Sequence, residues 1–554
     1  MMSESPPLPD GSNDCVSPST VSSLKSGPSA CHTCLSVYEL FDMIVREVYG
    51  EGEGKGTVAS LAATSKAFHG GAIPILWEKL ETLNPLLEVI PMDVWMQALQ
   101  NTDPASVPQQ IAYPHDSPIR RAMWYGQHIK RISWSEDPES VNQEIYAVGS
   151  LTCLPPTLKL LRNLRSFSWT ERRPSVARFL YPDLFVNPFL QELSLDTVLT
   201  EEAPLCSVLD AVRETCPQLR RLRLAGDSSE PLHVAVGAAL ADLVRATELI
   251  DLSCTSPLFD DVLLAIVEST SLQHVDVKVN WYTLDNMVVS ALPSACLASL
   301  RTLTLRFEAL GPSSLALLEN IASSVLFSLA LHVNAEVFDN DLLTKHLAAL
   351  TQAPFAATLR KIEIHAWRMD SEEDGDCPSI TFKTLEPLLE LKKLTHFVVY
   401  AKSFAMSACD VREIALAFPD IQTLEFMAAA FAGGEPPVGA LQHLVELCPD
   451  LTLLTMPVTA AFGVPYLEPD WKPRSRVTTY AIATPAEDAG DPRVFAYLSA
   501  LFPYVPPDTI TDAEEVSEDE KYAYAEYLEE TRPPGEPVAT ACSRSESWAQ
   551  IIAH

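Results

Sequence analysis

Residue types that could perform chemistry are present in this sequence, but their spacing does not match known catalytic or metal sites. Cys31 and Cys34 are separated by two residues, with His32 between them, and so resemble half of a zinc site. A structural zinc site needs two further ligands at compact spacing, and none lies nearby. No Gly-x-Ser-x-Gly nucleophile motif and no paired-carboxylate signature accompanies the histidines. The sequence therefore predicts no catalytic residue, no metal and no cofactor.

A second candidate is the glycine-rich run Gly50–Gly56, which contains a Gly-Lys pair at Gly54 and Lys55. A phosphate-binding loop requires a glycine four intervening residues before that pair and a serine or threonine after it. Tyr49 and Gly56 occupy those two positions. The run is therefore interpreted as a flexible connection that ends a helix.

The overall charge excludes two classes of partner. The chain has 554 residues and a formal net charge of −34, which repels nucleic-acid phosphates and anionic lipid surfaces. No apolar run reaches the roughly 18 residues that a membrane span needs. The twelve scattered cysteines and the absence of any Asn-x-Ser/Thr acceptor fit a reducing cytoplasm or nucleus.

One pattern recurs along the chain: an apolar residue, two others, an apolar, one other, and a third apolar residue. Its first positions lie 23 to 35 residues apart, and amphipathic stretches such as Phe259–Val267 and Asp341–Leu350 separate them. The twelve occurrences begin at Ile129, Leu164, Leu190, Leu219, Leu249, Leu272, Leu300, Leu326, Leu359, Leu394, Ile421 and Leu451. A period of this size is typical of leucine-rich repeats.

The pattern predicts the fold class. Alternating apolar residues place one side of a short strand inward, and no single strand–helix unit can bury its apolar side alone. Stacked units give an α/β leucine-rich-repeat solenoid, with a curved parallel sheet and helices on the convex side. A doubly wound α/β enzyme is the alternative. It is disfavoured because the strands are leucine-patterned and no glycine-rich phosphate turn follows any of them.

A separate small helical unit is predicted near the N-terminus. In the segment 37–48, Leu40, Ile44 and Val48 share one face of a helix. Thr57 is a plausible N-cap of a second helix, in which Leu61, Ser65 and Phe68 share a face. The apolar segment 72–77 then closes the unit.

These residues resemble a known family. The run Leu61–Leu80, preceded by Val37–Leu40, resembles an F-box and is most similar to the F-box proteins abundant in mushroom-forming fungi. Tyr38 and Phe68 stand where that family usually has proline and often has tryptophan. A helix around Val94–Met96 and the segment Trp124–Ile132 that opens the repeats extend the resemblance.

The resemblance implies a substrate-recognition subunit of a Skp–cullin–F-box ubiquitin ligase. It implies binding to the Skp adaptor, and through it to a cullin, while the repeats hold an unidentified protein substrate. The chain itself would be non-catalytic, and monomeric before the complex assembles. The residues implied to contact the adaptor are Val37, Leu40, Ile44, Leu61, Phe68, Ile75, Leu76 and Trp77.

The outward positions of the predicted strands are candidates for substrate contact. Six basic and six acidic residues occupy such positions, so this face is less negative than the chain as a whole. His274, His332, His365 and His396 also point outward and could lie near one another, although surface histidines are the simpler interpretation. The candidate contact residues are Arg221, Arg223, His274, Lys278, Arg306, His332, Lys361 and His365.

These inferences define an organisation and two alternatives. The predicted segments are a disordered tail at 1–30, the F-box-like module at 31–82, a helical linker or cap at 83–127, about 12 repeats at 128–460, a C-terminal cap at 461–510 and an acidic tail at 511–554. One alternative is a leucine-rich scaffold unconnected with ubiquitin, whose helical module only caps the repeats. The other is an unrecognised α/β hydrolase.

Overall fold

In the computed structural model, the chain forms two units, with the division after Glu78. It describes residues 37–50, 54–82, 84–89, 118–135, 160–171, 182–197, 202–226, 232–279, 296–307, 309–333, 339–366, 379–428, 433–468, 471–485 and 491–503. The predictions for Cys31–Cys34, for the helix around Val94–Met96 and for the tails at 1–30 and 511–554 lie outside these residues.

The described residues of the first unit form three helices: α1 (Tyr38–Gly50), α2 (Gly54–Thr64) and α3 (Lys66–Leu76). The predicted N-cap at Thr57 is wrong, because α2 begins three residues earlier. The prediction that Ser65 and Phe68 continue the second helix is also wrong. Ser65 adopts an extended backbone and its hydroxyl accepts a hydrogen bond from the Phe68 N–H at 3.2 Å, so it starts α3 instead. The segment 72–77, predicted as a separate element, belongs mainly to α3.

The core of this unit centres on Phe41 and Val45 of α1, which are 3% and 1% exposed. The Phe41 ring stacks on the Phe68 ring, with 5.2 Å between centroids. Gly71 makes this possible, because a Cβ at that position would lie 2.6 Å from the Cε1 atom of Phe41. The close approach of α3 to α1 therefore depends on a residue without a side chain.

The adjacent glycines of α3 give a matched test of this packing. Gly71→Ala is expected to lower the free energy of unfolding of the helical unit by about 1–3 kcal/mol, because Phe41 must move. Gly70→Ala meets no atom within 4 Å and should raise it by about 0.5–1 kcal/mol through helix propensity. Chemical denaturation of the two full-length variants measures the difference. Equal effects of the two substitutions would contradict the packing described.

The second unit is built on a sheet whose strands follow one another in chain order from β1 to β10 and then through β12, β14, β15 and β16. Two short strands, β11 and β13, pair separately. The strands are β1 Lys79–Leu80, β2 Arg131–Ser135, β3 Ser166–Glu171, β4 Glu192–Thr197, β5 Arg221–Ala225, β6 Asp251–Leu258, β7 His274–Val279, β8 Thr302–Phe307, β9 Ser328–Val333, β10 Lys361–Ala366, β11 Ile380–Thr381, β12 His396–Ala401, β13 Phe404–Ala405, β14 Thr423–Ala428, β15 Leu453–Pro457 and β16 Thr479–Ala483.

Helices connect many of these strands. The α-helices are α4 Asn84–Glu88, α5 Pro118–Gly126, α6 Pro182–Phe185, α7 Glu202–Thr215, α8 Val234–Ala246, α9 Asp260–Glu268, α10 Pro312–Glu319, α11 Asn340–Gln352, α12 Phe382–Leu385, α13 Ala408–Ala417, α14 Leu441–Leu447 and α15 Pro492–Leu501. Short 3₁₀ helices lie at Glu386–Glu390 and Val438–Ala440. The amphipathic stretches around 259–267 and 341–350 are confirmed as α9 and α11.

Backbone hydrogen bonds repeat from one strand to the next. The carbonyl of Lys130 accepts N–H groups from Arg165 and Ser166, and the carbonyl of Arg165 accepts the next pair. The same arrangement continues as far as the carbonyl of Thr452. All pairings in the long sheet are parallel, with one register shift between Cys254 and Pro257. Each repeat is therefore aligned on its predecessor through the backbone carbonyl at the equivalent position.

The inward side of this sheet is the core of the second unit. Every apolar residue of the twelve predicted motifs is at most 3% exposed, as at Trp134, Leu222 and Leu454. Side chains of α9 and α10 meet those of β7 and β8 around an apolar cavity of only about 10 Å³. The second unit is thus a leucine-rich-repeat solenoid, as predicted. A doubly wound sheet would reverse its strand order, and this one does not.

The sheet extends beyond the predicted repeats at both ends. β1 lies within the segment assigned from the sequence to the helical module, and β16 lies within the segment assigned to the C-terminal cap. Val477, Tyr480 and Ile482 repeat the apolar spacing, and all three are buried. This repeat was not among the twelve predicted from the sequence. Helix α15 follows, and the ring of Phe502 lies 4.6 Å from that of Tyr480.

Candidate functional site

Helix α1 leaves a group of apolar side chains on the surface of the first unit. Tyr38 and Met43 are 61% and 66% exposed. Val37, Leu40 and Ile44 are 41–42% exposed. The helix periodicity explains this, because Phe41 and Val45 take the inward positions. We refer to the group as the α1 apolar face; its members are Val37, Tyr38, Leu40, Met43 and Ile44.

The other residues that the resemblance implied for adaptor contact have different positions. Leu61, Phe68, Leu76 and Trp77 are half-buried. Ile75 is 2% exposed and lies in the core of the unit, so it cannot contact a partner in this conformation. Tyr38 and Met43 were not among the predicted adaptor contacts, although Met43 lies three residues after Leu40 and so falls on the same side of the helix.

A polar edge borders the α1 apolar face. The Arg46 guanidinium contacts Asp42 at 2.9 Å and Glu78 at 3.1 Å. The hydrogen bond to the Asp42 carboxylate is the main reason that the pKa of Arg46 is raised. An apolar patch with a charged edge is the usual composition of a protein-binding surface.

In the second unit, the outward side chains of the strands form a second candidate surface, here called the open face. Three of its predicted substrate-facing cations are each held by a carboxylate. The pairs are Arg221–Glu192 at 2.5 Å, Arg306–Asp276 at 3.2 Å and Lys361–Glu363 at 2.6 Å. These cations are therefore not free to attract an acidic partner at full strength.

The open face becomes more recessed along the chain. The paired side chains of Arg221 and Glu192 are 54% and 40% exposed, whereas those of Lys361 and Glu363 are only 12% and 17% exposed. Arg306 and its partner have intermediate values. Charges on β10 therefore lie in a less solvated environment than those on β5, and their interactions are screened less.

The remaining predicted cations of the open face are Arg223 and Lys278. Arg223 is exposed on β5 and Lys278 is half-buried on β7. No ion pair involves either of them in the described part of the chain. They stay candidates for substrate contact.

Two of the four outward histidines come together. His332 stacks on His365 with 4.0 Å between ring centroids, and His365 stacks on Tyr400 at 4.3 Å. The three residues share one register position on β9, β10 and β12. His274 and His396 lie elsewhere and contact Thr302 and Thr395 through their Nδ1 atoms. The stack was not predicted, because the register that brings Tyr400 beside His365 depends on repeat length.

Burial changes the protonation of this region. It lowers the pKa of His365 to about 4, so the imidazole is neutral at pH 7. Burial, reinforced by the negative charge of Glu363, raises the pKa of Glu425 to about 7. Glu425 lies on β14, one strand beyond the ring stack. The neutral imidazole of His365 therefore lies two strands away from a carboxyl group that loses its proton near neutral pH.

A serine–histidine pair occurs inside the solenoid and bears on the hydrolase alternative. The Ser314 Oγ and the His346 Nε2 atoms are 2.7 Å apart, and His346 Nδ1 lies 2.8 Å from the Leu342 carbonyl oxygen. Both side chains are at most 1% exposed, and Ser314 also bonds Gly311 at the start of α10. A substrate cannot reach this pair in the folded chain. We interpret it as a connection between α10 and α11.

Two further features concern metals and membranes. Within the described ranges, no three or more His, Cys, Asp or Glu residues are grouped so that they could hold a metal ion. Among the same residues, none of the helices combines the length and the apolar character needed to cross a membrane.

Comparison with known proteins gives only distant structural likenesses. No family model and no curated protein matches the chain. It is similar to TLR13 in the TLR13–ssRNA13 complex, with a TM-score of 0.35 and 12% identity over 68% of this chain and 48% of that one. It is also similar to the structure of the Rad7 and Elc1 complex in yeast, with a TM-score of 0.30 and 13% identity over 61% of this chain and 88% of that chain. A third similar structure is that of a protein from Bacteroides fragilis, with a TM-score of 0.26 and 11% identity over 59% of this chain and 67% of that chain. The chain thus spans about half the length of TLR13. The fold assignment rests on the strand order and register of the long sheet.

Proposed function

We propose that this chain is the substrate-recognition subunit of a Skp–cullin–F-box ubiquitin ligase. In this proposal the α1 apolar face binds the Skp adaptor, which links the chain to a cullin. The open face of the repeats binds a protein substrate. The chain supplies no catalytic group, since the ligase acts by holding the substrate near the ubiquitin donor and so raises its effective concentration. It would act in the cytoplasm or the nucleus, as a monomer before assembly.

The observation that carries the proposal is the exposure of the α1 apolar face. Leu40, Ile44 and Met43 are each more than 40% exposed, although the unit already buries Phe41 and Val45 in its core. Helix-in-groove binding uses this i, i+3, i+4 spacing of apolar anchors. The resemblance of Val37–Leu40 and Leu61–Leu80 to an F-box gives the adaptor its identity.

A double substitution tests the adaptor contact. Leu40→Asp with Ile44→Asp is expected to weaken co-purification with a Skp adaptor about 100-fold or more, because two charges would enter an apolar groove. The melting temperature should be unchanged, since both side chains are already exposed. Pull-down with purified adaptor and thermal denaturation measure the two effects.

The matched control is Leu416→Asp, on helix α13 of the repeats. Leu416 is 56% exposed, so the control places one aspartate, instead of two, at an exposed apolar position away from the α1 apolar face. It should leave adaptor binding intact. If the wild-type chain does not bind the adaptor, or if the double variant still binds it, the leucine-rich scaffold without a ubiquitin role becomes the better assignment.

A further inference from the structure

Glu425 is an outward-facing carboxyl group on β14, and the cation that acts on it is already paired with another carboxylate. It is half-buried, and within the described ranges no hydrogen bond or ion pair reaches its carboxylate. Lys361 is the cation that acts on it, but the Lys361 Nζ atom is bound to Glu363 Oε1 at 2.6 Å. The ionised form of Glu425 therefore carries an unmet requirement for a donor.

The other titratable groups near Glu425 do not meet this requirement. His396 on the neighbouring strand β12 and His365 on β10 both have pKa values lowered by burial, so both are neutral at pH 7. Glu363 adds negative charge and opposes ionisation. On the other side, β15 presents Thr455, which is uncharged. A cation supplied from outside the chain would satisfy Glu425.

The surface around Glu425 suits the apolar part of a long cationic side chain. Val398 lies beside it in the same register and is 5% exposed. Tyr400 and Met427 pair with each other two residues further along the same face. Lysine and arginine pack their methylene stems on such apolar atoms while the charged end makes the polar contact. The ring of Tyr400 adds a site where a cation is attracted to an aromatic face.

We propose that the open face between β10 and β15 binds a protein segment through one of its lysine or arginine side chains. Glu425 pairs with the charged end of that side chain, and Tyr400 and Met427 contact its methylene groups. The inference names the chemistry of the substrate in the proposed function, and it rests on the open face being the partner-binding surface there. The net charge of −34 favours the approach of a basic segment. A metal ion is a poor occupant, because it would need several oxygen ligands and the site offers one carboxylate.

Ionisation of Glu425 makes the interaction pH-dependent. The carboxyl group has a pKa of about 7, so it is largely protonated at pH 6 and largely ionised at pH 8. A cationic partner binds the ionised form. Binding should therefore strengthen as the pH rises from 6 to 8.

A peptide library tests the proposal on the full chain. The probes are N-acetylated nonapeptide amides with lysine, arginine, norleucine or glutamate fixed at the central position and mixed residues elsewhere. Lysine and arginine pools should be retained about tenfold more than norleucine, as expected for a charge-assisted hydrogen bond in a recessed site. Glu425→Gln should remove this preference, and the preference should be smaller at pH 6 than at pH 8.

The control is Glu413→Gln, which makes the same change in net charge at an exposed residue of α13. It should keep the preference for cationic pools. Equal retention of all four pools by the wild-type chain, preference for the glutamate pool, or equal loss in both variants would overturn the proposal. Adaptor pull-down on the same preparations separates the outcomes, since the α1 apolar face is unchanged in both variants.

Discussion

Trp169→Ala is expected to lower the free energy of unfolding of the repeats by about 3–5 kcal/mol, the range for truncating a large buried aromatic side chain. Trp169 is 2% exposed, and its ring lies 4.1 Å from that of Trp134 and 6.1 Å from that of Phe167. The substitution would open a cavity between the first repeats, where each unit depends on its neighbours for burial. Chemical denaturation followed by circular dichroism measures the loss.

Two control variants sharpen this test. Trp124→Ala removes a tryptophan that is 39% exposed and should cost much less. Trp169→Phe should cost less than Trp169→Ala, because it keeps most of the ring and also removes the buried Nε1–H group, which has no hydrogen-bond partner among the described residues. Similar losses for Trp124→Ala and Trp169→Ala would show that burial in the first repeats does not determine stability.

Glu425→Gln is expected to stabilise the chain at pH 8 by about 3 kcal/mol and to have almost no effect at pH 4.5. The pKa of Glu425 rises from 4.5 to about 7 on folding, mainly through burial. The folded state therefore binds a proton more strongly than the unfolded state. Stability is lost as the pH rises from 4.5 through 7, and glutamine removes that loss. Urea denaturation at a series of pH values measures the difference.

His365 provides a contrast of opposite sign in the same experiment. Its pKa falls from 6.5 to about 4 on folding, so the unfolded state binds the proton more strongly. Stability is lost as the pH falls from 6.5 to 4, and His365→Phe, which keeps a ring in the stack, should remove that loss. Glu413→Gln controls for the change in net charge. A flat profile for Glu425→Gln would contradict the pKa assigned to its carboxyl group.

The repeats could be predicted from the sequence because their signal is local and repeated. Leu219, Leu222 and Leu224 belong to one motif, and the same spacing occurs twelve times. A strand with this alternation can bury only one side, so stacking follows from each motif alone. The last repeat, in which Val477, Tyr480 and Ile482 carry the same spacing, was assigned from the sequence to the C-terminal cap.

The helical unit was predicted less completely. Its existence and the exposed positions of Leu40 and Ile44 agree with an apolar helix face. The helix boundaries were wrong because Ser65 fits the interior of a helix almost as well as its N-cap, and only its extended backbone decides between them. Ile75 was named as an adaptor contact through the resemblance alone, because an apolar residue in α3 gives no local sign of which side it faces.

The sequence by itself determined that a solenoid of stacked strand–helix units follows a small helical unit, since apolar spacing within each segment is sufficient to fix both. Only the tertiary structure decided which outward side chains meet. His332, His365 and Tyr400 are separated by 33 and 35 residues, and the loops between their strands set the register that stacks their rings. The low solvation that raises the pKa of Glu425 likewise depends on neighbouring repeats. Burial and register are properties of the stacked units and cannot be obtained from any one of them.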